Sequence, residues 1–188
     1  MVNKKTMVLM LLALIMLSGC SRGFRASEVK DDDLVEVSYE AVDRLILDLR
    51  EPLPKGSLVV INSLVNVGEL EQTLAFGRIV SDQISSAFHR SGYRVMGMEL
   101  PTEIFAKNEA GILQLPDKTK EALNNVGAKA VIVGSFAPGY NNVYVSLRVV
   151  DVASQNVISS TDYSVSMGPD AKVLVRKPQP PAPVPPKP

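Results

Sequence analysis

The sequence predicts a single α/β domain built on a mixed sheet, and two contrasting patterns predict it. Through the first two thirds, helical stripes alternate with short, wholly apolar β-branched runs, as strands covered on both faces require. In the last third, apolar and polar residues alternate across two stretches bounded by turn-forming clusters, as antiparallel strands with one covered face require. Helix, strand, helix, strand, helix and then three hairpin-linked strands make an α/β layer fold with a C-terminal antiparallel three-stranded meander.

The first helix starts at Asp33, an N-cap with Glu36 three residues on in a capping-box relation. Val35, Ser38, Val42, Leu45 and Leu49 recur at helical spacing, Ala41 and Ile46 widen the stripe, and Pro52 and Pro54 end it. Ser57 to Ser63 is a short apolar run between turn residues, hence a buried strand. A second helix is expected from Glu69 to Arg90, with Leu70, Leu74, Phe76, Ile79, Val80, Ile84, Ala87 and Phe88 as its apolar face and Gly92 as its stop. Gly77 lies inside it at a propensity cost of about 1 kcal/mol, which a close approach by another backbone would explain.

Tyr93 to Met98 gives a second strand, Pro101 to Lys107 a short helix, and Asp117 to Asn125 a further helix closed by Gly127. Ala128 to Phe136 is a third strand with an aliphatic centre. The turn cluster Pro138-Gly139-Tyr140-Asn141-Asn142 follows it. Val143, Val145, Leu147 and Val149 then alternate with Tyr144, Ser146, Arg148 and Val150. After Ala153-Ser154-Gln155-Asn156, the residues Val157, Ser159, Thr161, Tyr163, Val165 and Met167 repeat the pattern on a neighbouring strand.

Both ends of the chain read differently. Lys4 and Lys5 precede an aliphatic run from Met7 to Leu17, which is a secretory signal and too short to span a bilayer as a helix. It closes on Leu17-Ser18-Gly19-Cys20, which resembles the bacterial lipobox, with cleavage between Gly19 and Cys20 and lipidation of the Cys20 thiol. A plain secreted protein would show the same run, but would carry a lone free thiol into an oxidising compartment. Ser21 follows, with no Asp at 21 or 22; by resemblance to lipoprotein sorting in double-membraned bacteria, this points to the outer membrane. The domain plan is therefore a signal peptide at 1–19, a tether at 20–33, the α/β domain at 34–168 and a Pro-rich disordered tail at 169–188. From Arg176 the tail reads RKPQPPAPVPPKP, with seven of the 13 prolines, and extends as polyproline II. It reads either as an inert tail or as a ligand for an aromatic groove.

Composition excludes several function classes. Without residues 1–19 the chain keeps 18 basic residues against 20 acidic, a formal net charge of −2, and it has no Trp, so no basic aromatic face for nucleic acid is visible. His89 is the single histidine and Cys20 the single cysteine, which removes His–Cys, His–His and Ser–His sites for metal binding or nucleophilic catalysis. Asp31-Asp32-Asp33 lacks the glycine-pivoted loop and following Glu of a calcium site, and reads as a solvated linker plus helix cap. Gly134-Ser135-Phe136-Ala137-Pro138-Gly139 lacks the Lys and the following helix of a phosphate loop. No carboxylate pair is placed for acid–base work, and no catalytic, cofactor-binding or metal-binding residue is expected.

The pattern from Leu34 to Met167 resembles the FlgO-type domain of outer-membrane lipoproteins linked to bacterial flagella. Four stretches carry the likeness: Leu58 to Ser63, the LAFGRIVSDQISSAFHRSGYRV run from Leu74 to Val95, Ala130 to Ser135, and Leu147 to Val152. The lobe is also similar to the TolB N-terminal domain and to LpoB-type lipoproteins that activate peptidoglycan synthases. The resemblance implies a non-catalytic accessory of the flagellum, supporting its stability or assembly and motility, lipid-anchored at the outer membrane and facing the periplasm. It implies a protein partner in the envelope, such as the flagellar base, with no nucleic acid and no small-molecule substrate. The alternative it carries is a binding module that regulates a periplasmic peptidoglycan synthase or other envelope machinery.

Overall fold

The computed structural model describes residues 29–70, 74–101 and 115–177. The signal peptide, Gly19, Cys20, most of the tether, the helix expected at Pro101 to Lys107 and the tail beyond Lys177 lie outside these residues. The elements are α1 (Leu34–Leu49), β1 (Leu58–Ile61), β2 (Val65–Asn66), α2 (Ala75–Arg90), β3 (Arg94–Gly97), α3 (Asp117–Asn125), β4 (Ala130–Pro138), β5 (Asn142–Asp151), β6 (Val157–Ser166) and α4 (Pro169–Leu174). One mixed six-stranded sheet runs in the order β3-β1-β4-β5-β6, with β2 paired to β4 beyond the end of β1. The β1–β3, β1–β4 and β2–β4 pairs are parallel, and β4–β5 and β5–β6 are antiparallel, which is the mixed sheet and C-terminal meander that the two sequence patterns require.

The main core lies between one sheet face and α1 with α2. Leu45, Leu49, Phe76, Ile84, Phe88, Ile132 and Leu147 are fully enclosed there, and the Phe76 and Phe136 rings meet at 5.1 Å between centroids. A smaller cluster sits on the opposite face, where Leu123 of α3 packs with Val60, Val131, Val133 and Val150. Alternation along β5 sends Val143, Val145, Leu147 and Val149 to the first face, as its period predicts.

Several elements depart from the sequence reading. Val35 is exposed, because the buried stripe of α1 is Ser38, Ala41, Val42, Leu45 and Leu49. Val157 at the start of β6 is likewise exposed. The helix expected from Glu69 begins at Ala75 instead. The reason is β2, too short to show any period, which keeps the chain on the sheet through Val67 N donating to the Phe136 carbonyl at 2.9 Å. Asn66 then turns it away, accepting from Gly68 N at 3.0 Å through its side chain. Ile79, placed on the apolar face, is exposed. At the other end the structure continues past the expected boundary at 168 into α4, a single turn and a half opened by Pro169, with Ala171 buried.

Gly77 has the close backbone approach its position suggests. A Cβ there would lie 2.2 Å from the Leu64 carbonyl oxygen, and 3.0 Å from the Phe136 ring. One turn later Ser81 secures the same crossing. Its hydroxyl donates to the Gly77 carbonyl at 2.7 Å and accepts from Leu64 N at 2.9 Å. The helix therefore docks on the break between β1 and β2, where ladder bonding lapses and the backbone needs partners.

Helix α1 crosses β6 through a polar seam. Ser159 Oγ donates to the Leu45 carbonyl at 3.0 Å and Arg44 Nε donates to Thr161 Oγ1 at 3.3 Å. In the same seam the Tyr163 hydroxyl is buried with no hydrogen-bond partner. Burial pushes its pKa up to about 12, against the smaller opposing pull of the Ser38 hydroxyl and the Arg44 charge. Ser38 itself directs its hydrogen to Gln83 Oε1 at 2.8 Å.

Two substitutions test this packing. Gly77→Ala improves helix propensity by about 1 kcal/mol yet is expected to destabilise the protein by roughly 2–3 kcal/mol in urea unfolding, because the opposing atom is backbone; a gain in stability would mean that α2 does not sit on Leu64. Tyr163→Phe removes an unpaired buried hydroxyl and should leave stability unchanged or raise it by about 1 kcal/mol. A loss above that size would show a hydrogen bond in the seam.

Candidate functional site

The three consecutive aspartates before α1 are structural, and each takes a different backbone target. Asp33 caps α1, its Oδ1 accepting from Val35 N at 3.0 Å and Glu36 N at 3.2 Å. Asp32 Oδ2 accepts from Ser166 N, at the end of β6, at 2.7 Å. Asp31 accepts from the first turn of α4, Asp170 N at 2.9 Å and Ala171 N at 3.0 Å. A Cβ on Gly168 would meet Asp31 N at 2.4 Å, so only glycine lets the segment lie this close. The reading of Asp31 and Asp32 as a solvated linker is corrected: alternating carboxylates reach three separate elements and clasp the root of the tether to the far end of the chain. The sequence signal was available in Gly168-Pro169, a helix start with no polar cap of its own.

Burial raises the Asp31 pKa, but donors from Ala171, Asp170 and Gly168, aided by Lys172, outweigh it and hold the carboxyl below its ordinary value of 3.8. The β4–β5 hairpin joins the same pole: Met167 N donates to the Asn141 carbonyl at 2.7 Å. Tyr140 at its tip is 91% exposed.

Two other places offer a surface. A cleft of about 250 Å³ opens at the carboxyl ends of β1 and β3, lined by Ser63, Ser81, Asp82, Ser85, Met98 and Glu99 among others. Parallel α/β sheets place ligands at such ends, but here the walls carry hydroxyls and two carboxylates, and Ser81 is already bonded to backbone. The second is the part of the opposite sheet face that α3 leaves open. Register fixes it as three cross-strand rows: Arg148 and Ser160, next to the buried Val133; Ser135, Ser146 and Asp162; Ala137, Tyr144 and Ser164. Ser146 Oγ hydrogen-bonds Asp162 Oδ1, and Tyr144, Ser160, Asp162 and Ser164 are exposed. A flat, polar strand face with one aromatic is suited to a protein partner.

The remaining candidates fall where packing explains them. Gly134 and Ser135 lie within β4, and a Cβ at Gly134 would strike the Leu147 and Leu64 side chains at 2.7 and 2.8 Å, so that glycine serves packing. His89 is exposed in the last turn of α2. Among the described residues, no cluster of three or more His, Cys, Asp or Glu side chains is placed to hold a metal ion, and no helix is long and apolar enough to cross a membrane.

Four parallel strands, the last of them continued by an antiparallel meander, with helices on both faces and open strand surface on one, define a small α/β lobe that presents surfaces. The chain belongs to the FlgO family, whose model, described as FlgO protein, matches residues 39–170. Its fold is that of the LpoB C-terminal domain. The domain from Salmonella enterica is 18% identical, with a TM-score of 0.51 over 72% of this chain and 100% of that one. The Escherichia coli domain is 19% identical with the same TM-score and coverage. No curated protein matches the sequence.

The clasp predicts an acid sensitivity of definite sign. With its folded pKa depressed, Asp31 contributes stability that is complete above its ordinary value of 3.8 and is lost as pH falls through the lower folded value. Asp31→Ala should therefore lower the melting temperature at pH 7, and the gap to the parent protein should close in the most acidic buffers. A gap that is constant from pH 7 to pH 2 would show that the carboxylate charge plays no part.

Proposed function

We propose that this protein is a lipid-anchored, non-catalytic accessory of the flagellum at the outer membrane, acting by binding a protein of the envelope. Membership of the FlgO family over residues 39–170 is the observation that carries the reading. The Leu17-Ser18-Gly19-Cys20 sequence supports lipidation at Cys20, and a diacylated, N-acylated cysteine holds a protein firmly at a bilayer. The open face of β4–β6, with Tyr144, Ser146, Arg148, Asp162 and Ser164, is the partner surface in this reading.

Reach separates it from the second reading, regulation of a peptidoglycan synthase, which draws on the LpoB-like fold. Because Asp31 is docked, only residues 21–30 stand between Cys20 and the folded lobe, and ten residues span at most about 35 Å. That length favours a partner close to the membrane over one across the periplasm.

Three experiments test the proposal. Cys20→Ala should abolish membrane partition and labelling by a palmitate analogue, and labelling that persists on that variant would remove the anchor from the account. Deleting the gene should impair swimming or leave flagella fragile, with cell shape unaffected. Arg148→Glu, an exchange on the open strand face, should reproduce much of that defect at normal protein levels and unchanged melting temperature. Normal swimming with cell-shape defects or sensitivity to wall-targeting antibiotics would instead support the synthase reading.

A further inference from the structure

The clasp puts the start of the tether, the end of the sheet and the β4–β5 hairpin at one pole. Asp32 bonds Ser166 N, the adjoining Met167 N bonds the Asn141 carbonyl, and Gly168 lies against Asp31, so the hairpin carrying Tyr140 is tied to the same strand end as the tether root. Tyr140 is 91% exposed, and Val67, whose N–H bonds Phe136 two residues before Pro138, is 57% exposed. A tyrosine on a tight hairpin is a rigid amphipathic group, apolar in the ring and polar at the tip, and such side chains settle at the headgroup level of bilayers.

From the geometry we infer that this pole, led by Tyr140, is a membrane-docking surface whose occupant is the bilayer that holds Cys20. The inference rests on the anchored reading above. The number of residues between anchor and lobe selects the occupant. Ten residues span at most about 35 Å whatever their conformation, so the surface beside the root of the tether is held nearer the bilayer than the rest of the lobe. Charge does not drive the contact. Lys30, Lys172, Arg176 and Lys177 are offset here by Asp31, Asp32, Asp33, Asp170 and by Glu69, which pairs with Lys177. One tyrosine and one valine give too little apolar area to recruit a free protein, and docking therefore depends on the anchor.

The absence of Trp from the sequence makes a direct test available. The chain from Cys20 to Pro188, carrying Tyr140→Trp as its single reporter, is coupled through Cys20 to a maleimide lipid in phosphatidylcholine vesicles, and in parallel in vesicles with one quarter phosphatidylglycerol. A second protein carries Val126→Trp instead, at the opposite end of the sheet beyond α3. Docking a few ångströms into the headgroup boundary should shift the Tyr140→Trp emission to the blue and lose roughly half of it to brominated acyl chains. The shift should be equal in both vesicles, absent without coupling and absent for Val126→Trp. Equal exposure of the two reporters on coupled vesicles would overturn the inference. So would a blue shift without vesicles that grows with protein concentration, marking a second copy as occupant, or one lost on truncation after Lys177, marking the Pro-rich tail. Because the coupling supplies the anchor chemically, failure of lipidation in the cell leaves this result standing, and a negative result here leaves the anchor standing.

Discussion

The fold depends on one crossing, where α2 passes over the break between β1 and β2 with no side chain in the gap. Gly77 lets the Leu64 carbonyl approach to a distance at which any Cβ would collide, and Ser81 takes up the Leu64 N–H that the lapsed ladder leaves without a partner. The approach also sets the depth of the Leu64 side chain, which is fully buried beneath Gly134 and close to Leu147. Two glycines from distant parts of the chain thus make room for one leucine. Close-packed interiors transmit such constraints, because a side chain with no free volume around it fixes the spacing of the elements that hold it. Here the spacing fixed is that of helix layer to sheet, and the first-face core is built at that distance.

The pole at the β4–β5 hairpin is organised by hydrogen bonds to carboxylates laid over the rim of the core. Asp31, Asp32 and Asp33 serve α4, β6 and α1 in turn, so one short stretch of chain ties together three elements whose Leu34, Val165 and Ala171 also belong to one apolar cluster. Carboxylates suit the task, since charged acceptors make the stronger hydrogen bonds to helix and strand N–H groups. This arrangement also gives the tether a defined point of departure.

Much of the fold was legible in the sequence. The α3 boundaries, the alternation in β5 and the glycine stops at Gly92 and Gly127, both at positive φ, follow directly from period and turn chemistry. What escaped had no local signal to offer. β2 is two residues long and exists because β4 extends far enough to pair with it; the late start of α2 follows from that pairing, which is a tertiary fact. Asp31 and Asp32 looked like linker residues because their partners lie more than 130 positions away. The open face of the meander was implicit in its alternation, since a polar second face is visible in Tyr144, Ser146 and Arg148. Its extent became definite only with the β5–β6 register and with α3 covering the other half.

The clasp has a mechanical meaning as well. In the anchored arrangement proposed above, every displacement of the bilayer would reach the lobe through the tether, and the first groups to carry the tension would be the Asp31 and Asp32 carboxylates. Their hydrogen bonds run to α4 and to the end of β6, so a pull on the tether is delivered to the C-terminal part of the fold before α1 is strained. The load divides among three short-range bonds that open and re-form without disturbing the buried core, in which Leu45 and Leu49 of α1 are fully enclosed. A lobe moored in this way would yield at its root first and keep its open strand face in shape while it did so.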